Sequence, residues 1–392
     1  MLTSPDKLPA TDPRVRESAT TLPVYGQLPF VPKHAAGCDI FTTDGRRILD
    51  LYGGHAVAAL GYGHSRLVAA ISEQARSLLF QSNAVALEIR AHAAEKLVSV
   101  APASVTRAFF VNSGAEANEN ALRMAMVATG RRKVLAVTHG FHGRTAAAAA
   151  VTWNSDKWYG FPQKPFDVGF IPRNDCAAAE AMVDDTVAAV IVEPVQGVAG
   201  AFDLGHDFLT ALRRATAKHG AVLIADEVQT GMGRSGQFFA MQVHGIDPDI
   251  VTSAKALGGG IACGAVLVGD AIGARFGPGD LGTTFGGGPV AAAAIVAVIE
   301  TIETEDLLIN VRGREAQIRE QACVGPVTRV QGMGLLLGLV CDRPAIEVRN
   351  ALLEHNILTG TSADPNVVRV LAPLVLEERH VEQLARALAA IA

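Results

Sequence analysis

The chain has little of what builds several protein classes. Among its 392 residues are 5 cysteines, Cys38, Cys176, Cys263, Cys323 and Cys341, odd in number, scattered and without a CxxC pair. That excludes a disulfide framework and a cysteine-based zinc site, and it fits a reducing cytoplasm. Neither sign of charge dominates. Lys and Arg number 34 against 39 Asp and Glu, a net charge of -5, and basic residues gather only in short groups such as Arg131-Arg132-Lys133. No nucleic-acid footprint follows. Long apolar runs are missing too: the alanine-rich stretches Ala146 to Val151 and Val290 to Ile299 fall short of the roughly 20 residues that span a bilayer. The first residues, Met1 to Lys7, carry no apolar signal core, so neither export nor a membrane partner is expected.

What is present is apolar content, 49% of residues, in a chain longer than one core usually serves, so two domains are expected. Residues 1 to about 35, rich in Pro, Thr and charge, read as an extended arm packed on something larger, such as a partner subunit. Asp44-Gly45 joins two strand-like runs as a hairpin, Leu51 to Val57 is a glycine-rich loop, and Ser65 to Phe80 has helical periodicity. From residue 107 strand and helix alternate. Strands are expected at Arg107–Val111, Lys133–Thr138, Val187–Val192, Ala221–Ala225, Ile250–Ser253 and Gly264–Val268, which makes an α/β domain with a mostly parallel sheet. From about residue 290, helix and strand (335–340, 367–371) alternate into a smaller α+β domain that the N-terminal residues join. Ligands of such sheets bind beyond the carboxyl ends of the strands, where the glycines and polar residues of this chain collect.

Lys255 stands at the end of the apolar run Ile250 to Ala254 and before Gly258-Gly-Gly260. A lysine held there is desolvated, its amine pKa falls, and a neutral amine condenses with an aldehyde. Asp226 ends another buried strand, followed by Glu227, Val228 and Gln229. The two acids face opposite ways, so they are no glycosidase-like pair. One inward carboxylate can keep a pyridine nitrogen protonated, and an amide can donate to the ring's phenolic oxygen; the competing reading is an acid in an ordinary turn. Ser113-Gly114-Ala115, at a strand-to-helix junction, is an anion site or a plain Ser N-cap, and is neither GxGxxG nor a Walker A loop. Phe141 at a strand mouth can stack on a planar cofactor, and Arg144 can clamp a carboxylate. His139 and His142 lack a third ligand at metal spacing, so no metal is expected and both read as core or loop histidines. Gly282-Thr283-Thr284-Phe285-Gly286 is a second phosphate-like loop or a flexible turn.

These residues carry a resemblance. Asn112-Ser-Gly-Ala-Glu-Ala-Asn118, Phe141-His-Gly-Arg-Thr145, Glu193-Pro-Val-Gln-Gly197, Asp226-Glu-Val-Gln-Thr-Gly231, Ser253-Ala-Lys255 and Gly282-Thr-Thr-Phe-Gly-Gly287 resemble, in order and spacing, the class-III, ornithine-type aminotransferases that use pyridoxal phosphate, over roughly residues 25 to 385. The resemblance implies the pyridoxal-phosphate transferase fold type I. It divides the chain into an arm and part of the small domain (1–50), a large cofactor-binding domain (51–289) and the rest of the small domain (290–392). It implies that Lys255 binds the cofactor covalently and then moves the substrate proton, and that Asp226 pairs with the ring nitrogen. Gln229 contacts the phenolic oxygen, Phe141 stacks on the ring, Val228 lines the cofactor site, and Ser113, Gly114 and Ala115 hold the phosphate. The resemblance also implies that Thr284 reaches the phosphate of a partner subunit with Thr283 near substrate, hence a homodimer.

The resemblance further implies that Arg144 binds the α-carboxylate of an N-acylated ornithine, and Arg369 a carboxylate of glutamate or 2-oxoglutarate. The implied activity is transfer of the δ-amino group of N2-acetyl- or N2-succinylornithine to 2-oxoglutarate in arginine biosynthesis. Other ω-aminotransferases (4-aminobutyrate, ornithine or a lysine-pathway substrate), a semialdehyde aminomutase and a non-catalytic cofactor-binding protein are the alternatives. Two departures stand out. Val198 occupies the position where the family usually carries a glutamate able to pair with the second arginine, and Gly53-Gly54-His55-Ala56-Val57 replaces a more apolar loop. Either Glu227 screens Arg369 instead, or Arg369 stays open to a dicarboxylate.

Overall fold

The computed structural model describes residues 8–391. Its centre is a seven-stranded sheet in the spatial order Arg107–Val111, Gly264–Val268, Ile250–Ala254, Val222–Asp226, Val187–Val192, Lys133–Val137, Asp167–Ile171. The sheet is mostly parallel, as the alternation predicts; Gly264–Val268 alone runs antiparallel to both neighbours. Chain length explains this exception. The connection 255–263 is shorter than the roughly dozen residues a parallel crossover needs, so the strand can only turn back. Val187–Val192, Val222–Asp226, Ile250–Ala254 and Gly264–Val268 are buried throughout, because helices cover both faces. The edge strand Asp167–Ile171 was not expected: its Asp-Val-Gly-Phe-Ile run is only half-buried and carries no continuous apolar signal.

Helices begin and end on local chemistry. Gly114–Thr129 starts where the Ser113 hydroxyl accepts the Glu116 N–H at 3.1 Å, and it stops at Gly130, whose φ of 70° admits the left-handed turn. Pro289–Thr304 is apolar nearly all round and packs against Ser65–Ser77 and Glu88–Ser99. The expectation of an extended arm needs correction. Within it Pro13–Thr20 is a helix, capped by the Asp12 side chain and started by Pro13 at its first position, with no residue buried. Beyond it Leu22, Val24 and Tyr25 stand exposed at 82%, 71% and 82%. Residues 1–7 of the arm lie outside the described residues.

Two four-stranded sheets flank the centre. One holds Pro32–Ala36, Asp39–Thr42 and Arg47–Asp50, the last paired in parallel with Ile357–Leu358, so residues from both ends of the chain share one sheet. The other runs Val327–Met333, Leu336–Cys341, Val367–Val370, Gly360–Thr361. Val327–Met333 was not anticipated, since Thr328, Arg329, Gln331 and Gly332 break its apolar pattern.

Candidate active site

The strand order reverses between Lys133–Val137 and Val187–Val192, and a crevice opens beyond their carboxyl ends. Two bonds bridge this switch point: Glu193 Oε1 accepts the Phe141 N–H at 2.8 Å, and Gln196 Nε2 donates to Thr138 O at 2.8 Å. The cavity above measures about 450 Å³. Ser113, Gly114, Ala115, Phe141 and Arg144 line it from one side, and Asp226, Val228, Gln229 and Lys255 from the other.

Lys255 leaves the end of Ile250–Ala254 with φ of 50°, a left-handed conformation costly for a residue with a Cβ. The turn directs it into the cavity instead of along the sheet. Burial holds its amine below the usual lysine range; Asp226 and Glu193 oppose that, while Arg369 and Arg234 add to it.

Asp226 is 3% exposed, yet fully engaged. Its Oδ2 accepts from His142 Nδ1 at 2.8 Å and Asn118 Nδ2 at 2.7 Å, and its Oδ1 from the Val228 N–H at 3.1 Å. Asn118 is itself fixed, donating to His142 O at 2.7 Å and accepting from Thr252 Oγ1 at 2.8 Å. Three donors satisfy this carboxylate in a dry site. Glu227 turns the other way, as alternation requires. Its oxygens accept the Ala240 and Met241 N–H groups at 2.9 and 2.8 Å and the Thr230 hydroxyl, so it caps a helix and does not screen Arg369.

Gly114 packs so closely that a Cβ there would stand 2.7 Å from Val228 Cγ1, which holds Val228 against the cavity floor. The Ser113 hydroxyl acts as the N-cap, leaving the first-turn N–H groups of Gly114 and Ala115 without intrahelical acceptors. Gln229 Oε1 is buried with no protein partner, and a Cβ on Gly197 would fall 1.7 Å from it. Arg144 sits exposed at the rim with its guanidinium carbon 4.6 Å from the Trp158 ring centroid and 5.9 Å from that of Phe141. Among the described residues no carboxylate pairs with it.

Three expected residues stand apart from this cavity. Thr283 Oγ1 accepts the Gly286 N–H at 3.0 Å and an Asn112 amide N–H at 3.3 Å, and Thr284 lies exposed beside Phe285. Arg369 is buried to the side, donating to Thr361 O at 2.7 Å, Gly197 O at 3.4 Å and the Tyr52 hydroxyl at 3.3 Å. Conversely, sequence reasoning missed Asn118 and Glu193 and set His142 aside as a core histidine. Each lay inside a motif already quoted, which was the available signal. Burial pushes Glu193 up to about 7 and Asp226 adds to it, while His142 and Lys255 work against the rise.

A hydrogen-bonded acid at depth, a lysine of lowered basicity, an anion-seeking helix terminus and an unpaired arginine at the rim suit amine chemistry on a phosphorylated, planar cofactor. The sequence pattern of "Aminotransferase class-III" proteins matches residues 22–392. Acetylornithine aminotransferase of Corynebacterium efficiens is 40% identical over 380 residues, covering 94% of this chain and 94% of that protein. The crystal structure of N-acetylornithine aminotransferase from Stenotrophomonas maltophilia superposes with a TM-score of 0.81 at 30% identity, over 94% of this chain and 96% of that one. Ornithine aminotransferase from Toxoplasma gondii superposes with a TM-score of 0.91 at 25% identity, over 96% and 93%. With five of its six motifs meeting at one crevice and matched along almost its whole length, this chain belongs to the class-III aminotransferase family.

Proposed function

We propose that the chain moves the δ-amino group of N2-acetyl-L-ornithine, or N2-succinylornithine, to 2-oxoglutarate, giving the N-acylglutamate semialdehyde and glutamate in arginine biosynthesis. The observation that carries this reading is the meeting of Lys255, buried Asp226 and unpaired Arg144 in one cavity of about 450 Å³. Pyridoxal phosphate fits the residues present: Gln229 Oε1 awaits a partner, Gly114 and Ala115 offer free N–H groups, and Asp226 lies at depth. When bound, this cofactor supplies an electron sink for the carbon that carries the amino group.

The remaining work belongs to side chains of this protein. Lys255, its amine neutral at lower pH than usual, holds the cofactor and then takes and returns the proton at the amine-bearing carbon. Asp226, locked by His142 and Asn118, would keep the ring nitrogen of the bound cofactor protonated. Phe141 would stack on the ring, Val228 would line its other surroundings, Gln229 would meet the phenolic oxygen, and Ser113 with the Gly114 and Ala115 N–H groups would bind the phosphate. Arg144 takes the α-carboxylate of the acylornithine, and Arg369 a carboxylate of the acceptor.

A homodimer completes the site, with Thr284 reaching the partner's phosphate and Thr283 the substrate. This is supported by the exposure of Thr284 outside its own cavity and by exposed apolar groups at Phe285, 66% exposed, and Tyr25. We retain 1–50, 51–289 and 290–392 as the domain division, and place the enzyme in the cytoplasm; no described helix is long and apolar enough to cross a membrane. Steady-state rates with acetylornithine, succinylornithine, ornithine and 4-aminobutyrate, side by side, test the assignment. The acylornithines should have the highest kcat/KM, and a higher value for 4-aminobutyrate or free ornithine would refute it.

A further inference from the structure

Arg369 is a buried cation whose hydrogen bonds are unequal. The 2.7 Å bond from Nε to Thr361 O fixes its plane, whereas the bonds from Nη1 to Gly197 O, 3.4 Å, and from Nη2 to the Tyr52 hydroxyl, 3.3 Å, are long and weak. All three acceptors are neutral. Val198, on the cavity wall, supplies no acid, and Glu193 acts on Arg369 through space without accepting a hydrogen bond. A carboxylate offered to Nη2 makes a charge-assisted bond roughly twice as strong as a neutral one, so the phenol can be displaced.

Tyr52 is itself held in place. Its hydroxyl lies 2.8 Å from His55 Nδ1, and its ring packs on Gly360, where a Cβ would stand 2.1 Å from ring carbon Cε2. His55 gets its position from four consecutive left-handed residues, Gly53 to Ala56, with φ of 54°, 56°, 64° and 67°. At Gly53 a Cβ would meet Leu371 O at 2.8 Å, so the turn requires glycine there. Burial, Arg369 and Lys255 all keep the His55 imidazole less basic than usual. A neutral imidazole accepts the phenol proton at Nδ1, which leaves the phenol oxygen facing Arg369 with lone pairs only.

We propose that Tyr52, oriented by His55, is a neutral placeholder on Arg369, occupying Nη2 in the resting enzyme and yielding it to a carboxylate of the α-oxo dicarboxylate acceptor. Tyr52 thereby sets how strongly the second half-reaction binds its substrate without touching the first. This rests on the reading of Arg369 as an acceptor-binding residue. A neutral partner leaves no ion pair to break when the acceptor arrives.

The test uses holoenzyme and measures KM for 2-oxoglutarate, KM for acetylornithine, and calorimetric binding of glutarate, an unreactive dicarboxylate. Tyr52→Phe keeps the packed ring and removes the competing acceptor. It should tighten glutarate and lower KM for 2-oxoglutarate about three- to tenfold, with KM for acetylornithine unchanged. His55→Ala should shift the same values the same way by less, His55→Gln, whose Oε1 can accept the phenol proton, should restore the wild-type values, and adding His55→Ala to Tyr52→Phe should change nothing more. An unmoved or raised acceptor KM in Tyr52→Phe, or equal changes in both half-reactions, overturns the placeholder. Arg369→Lys separates the two readings. If it leaves the acceptor KM unchanged, the role of Arg369 falls and this inference with it; if it raises that KM while Tyr52→Phe has no effect, the placeholder alone is wrong.

Discussion

At Lys255, burial and two nearby carboxylates pull in opposite directions, and burial wins. Lys255→Ala should therefore abolish turnover while the fold and noncovalent cofactor binding survive, read as an unchanged melting temperature with no half-reaction; normal half-reaction rates would contradict the role. Arg144 is unpaired and at the rim, so Arg144→Ala should act on substrate and leave the cofactor alone. Losing a charge-assisted clamp worth roughly 2–3 kcal/mol raises KM for acylornithine about 30- to 150-fold, with cofactor affinity little changed. Gly197→Ala should displace the Gln229 amide, since the new Cβ would occupy its space, and shift the absorbance of the bound cofactor with little loss of stability. Much of this site was legible because Lys255, Asp226, Gln229 and Phe141 each follow a strand-like run in the sequence. Asn118 and His142 were less so: their roles come from contacts with Asp226 across 108 and 84 residues, which no local pattern announces.

Glu227 shows how one strand end serves two masters. Alternation sends Asp226 into the crevice and Glu227 into the packing behind it, where it caps Ala240–His244. Burial pushes Glu227 up to about 7 from an ordinary 4.5. Between those values the folded chain keeps a proton that the unfolded chain has released, so stability falls as pH rises through the window, by roughly 3 kcal/mol for such a shift. Glu193, also raised to about 7, acts in the same direction. Glu227→Gln should remove about half of that slope in denaturant unfolding between pH 5 and 7.5, and an undiminished slope would mean that Glu227 does not titrate there. Elements were readable where burial is complete on both faces, as in Val187–Val192. Asp167–Ile171 and Val327–Met333 escaped because half-exposed strands mix polar and apolar residues without strict alternation. The helix Pro13–Thr20 buries nothing, so no apolar periodicity marks it, only Asp12 and Pro13.

For the whole molecule, the sheet joining Arg47–Asp50 to Ile357–Leu358 ties the two ends of the chain together beside the crevice, placing Tyr52 and Arg369 next to the cavity built by the central sheet. The proposed dimer adds what that crevice lacks. Lys255→Ala and Thr284→Glu subunits, each inactive alone, should regain activity when mixed, because one heterodimer site then carries intact Lys255 from one chain and intact Thr284 from the other. No recovery under conditions of subunit exchange would place Thr284 in its own chain's site, and an active Thr284→Glu enzyme would place it outside the chemistry. The expectations for the site depend on the proposed covalent bond between cofactor and Lys255. Borohydride reduction of the holoenzyme, followed by peptide mapping, tests it most directly: the pyridoxyl group should be found on Lys255 alone, and its recovery on another lysine, or on none, would contradict the account.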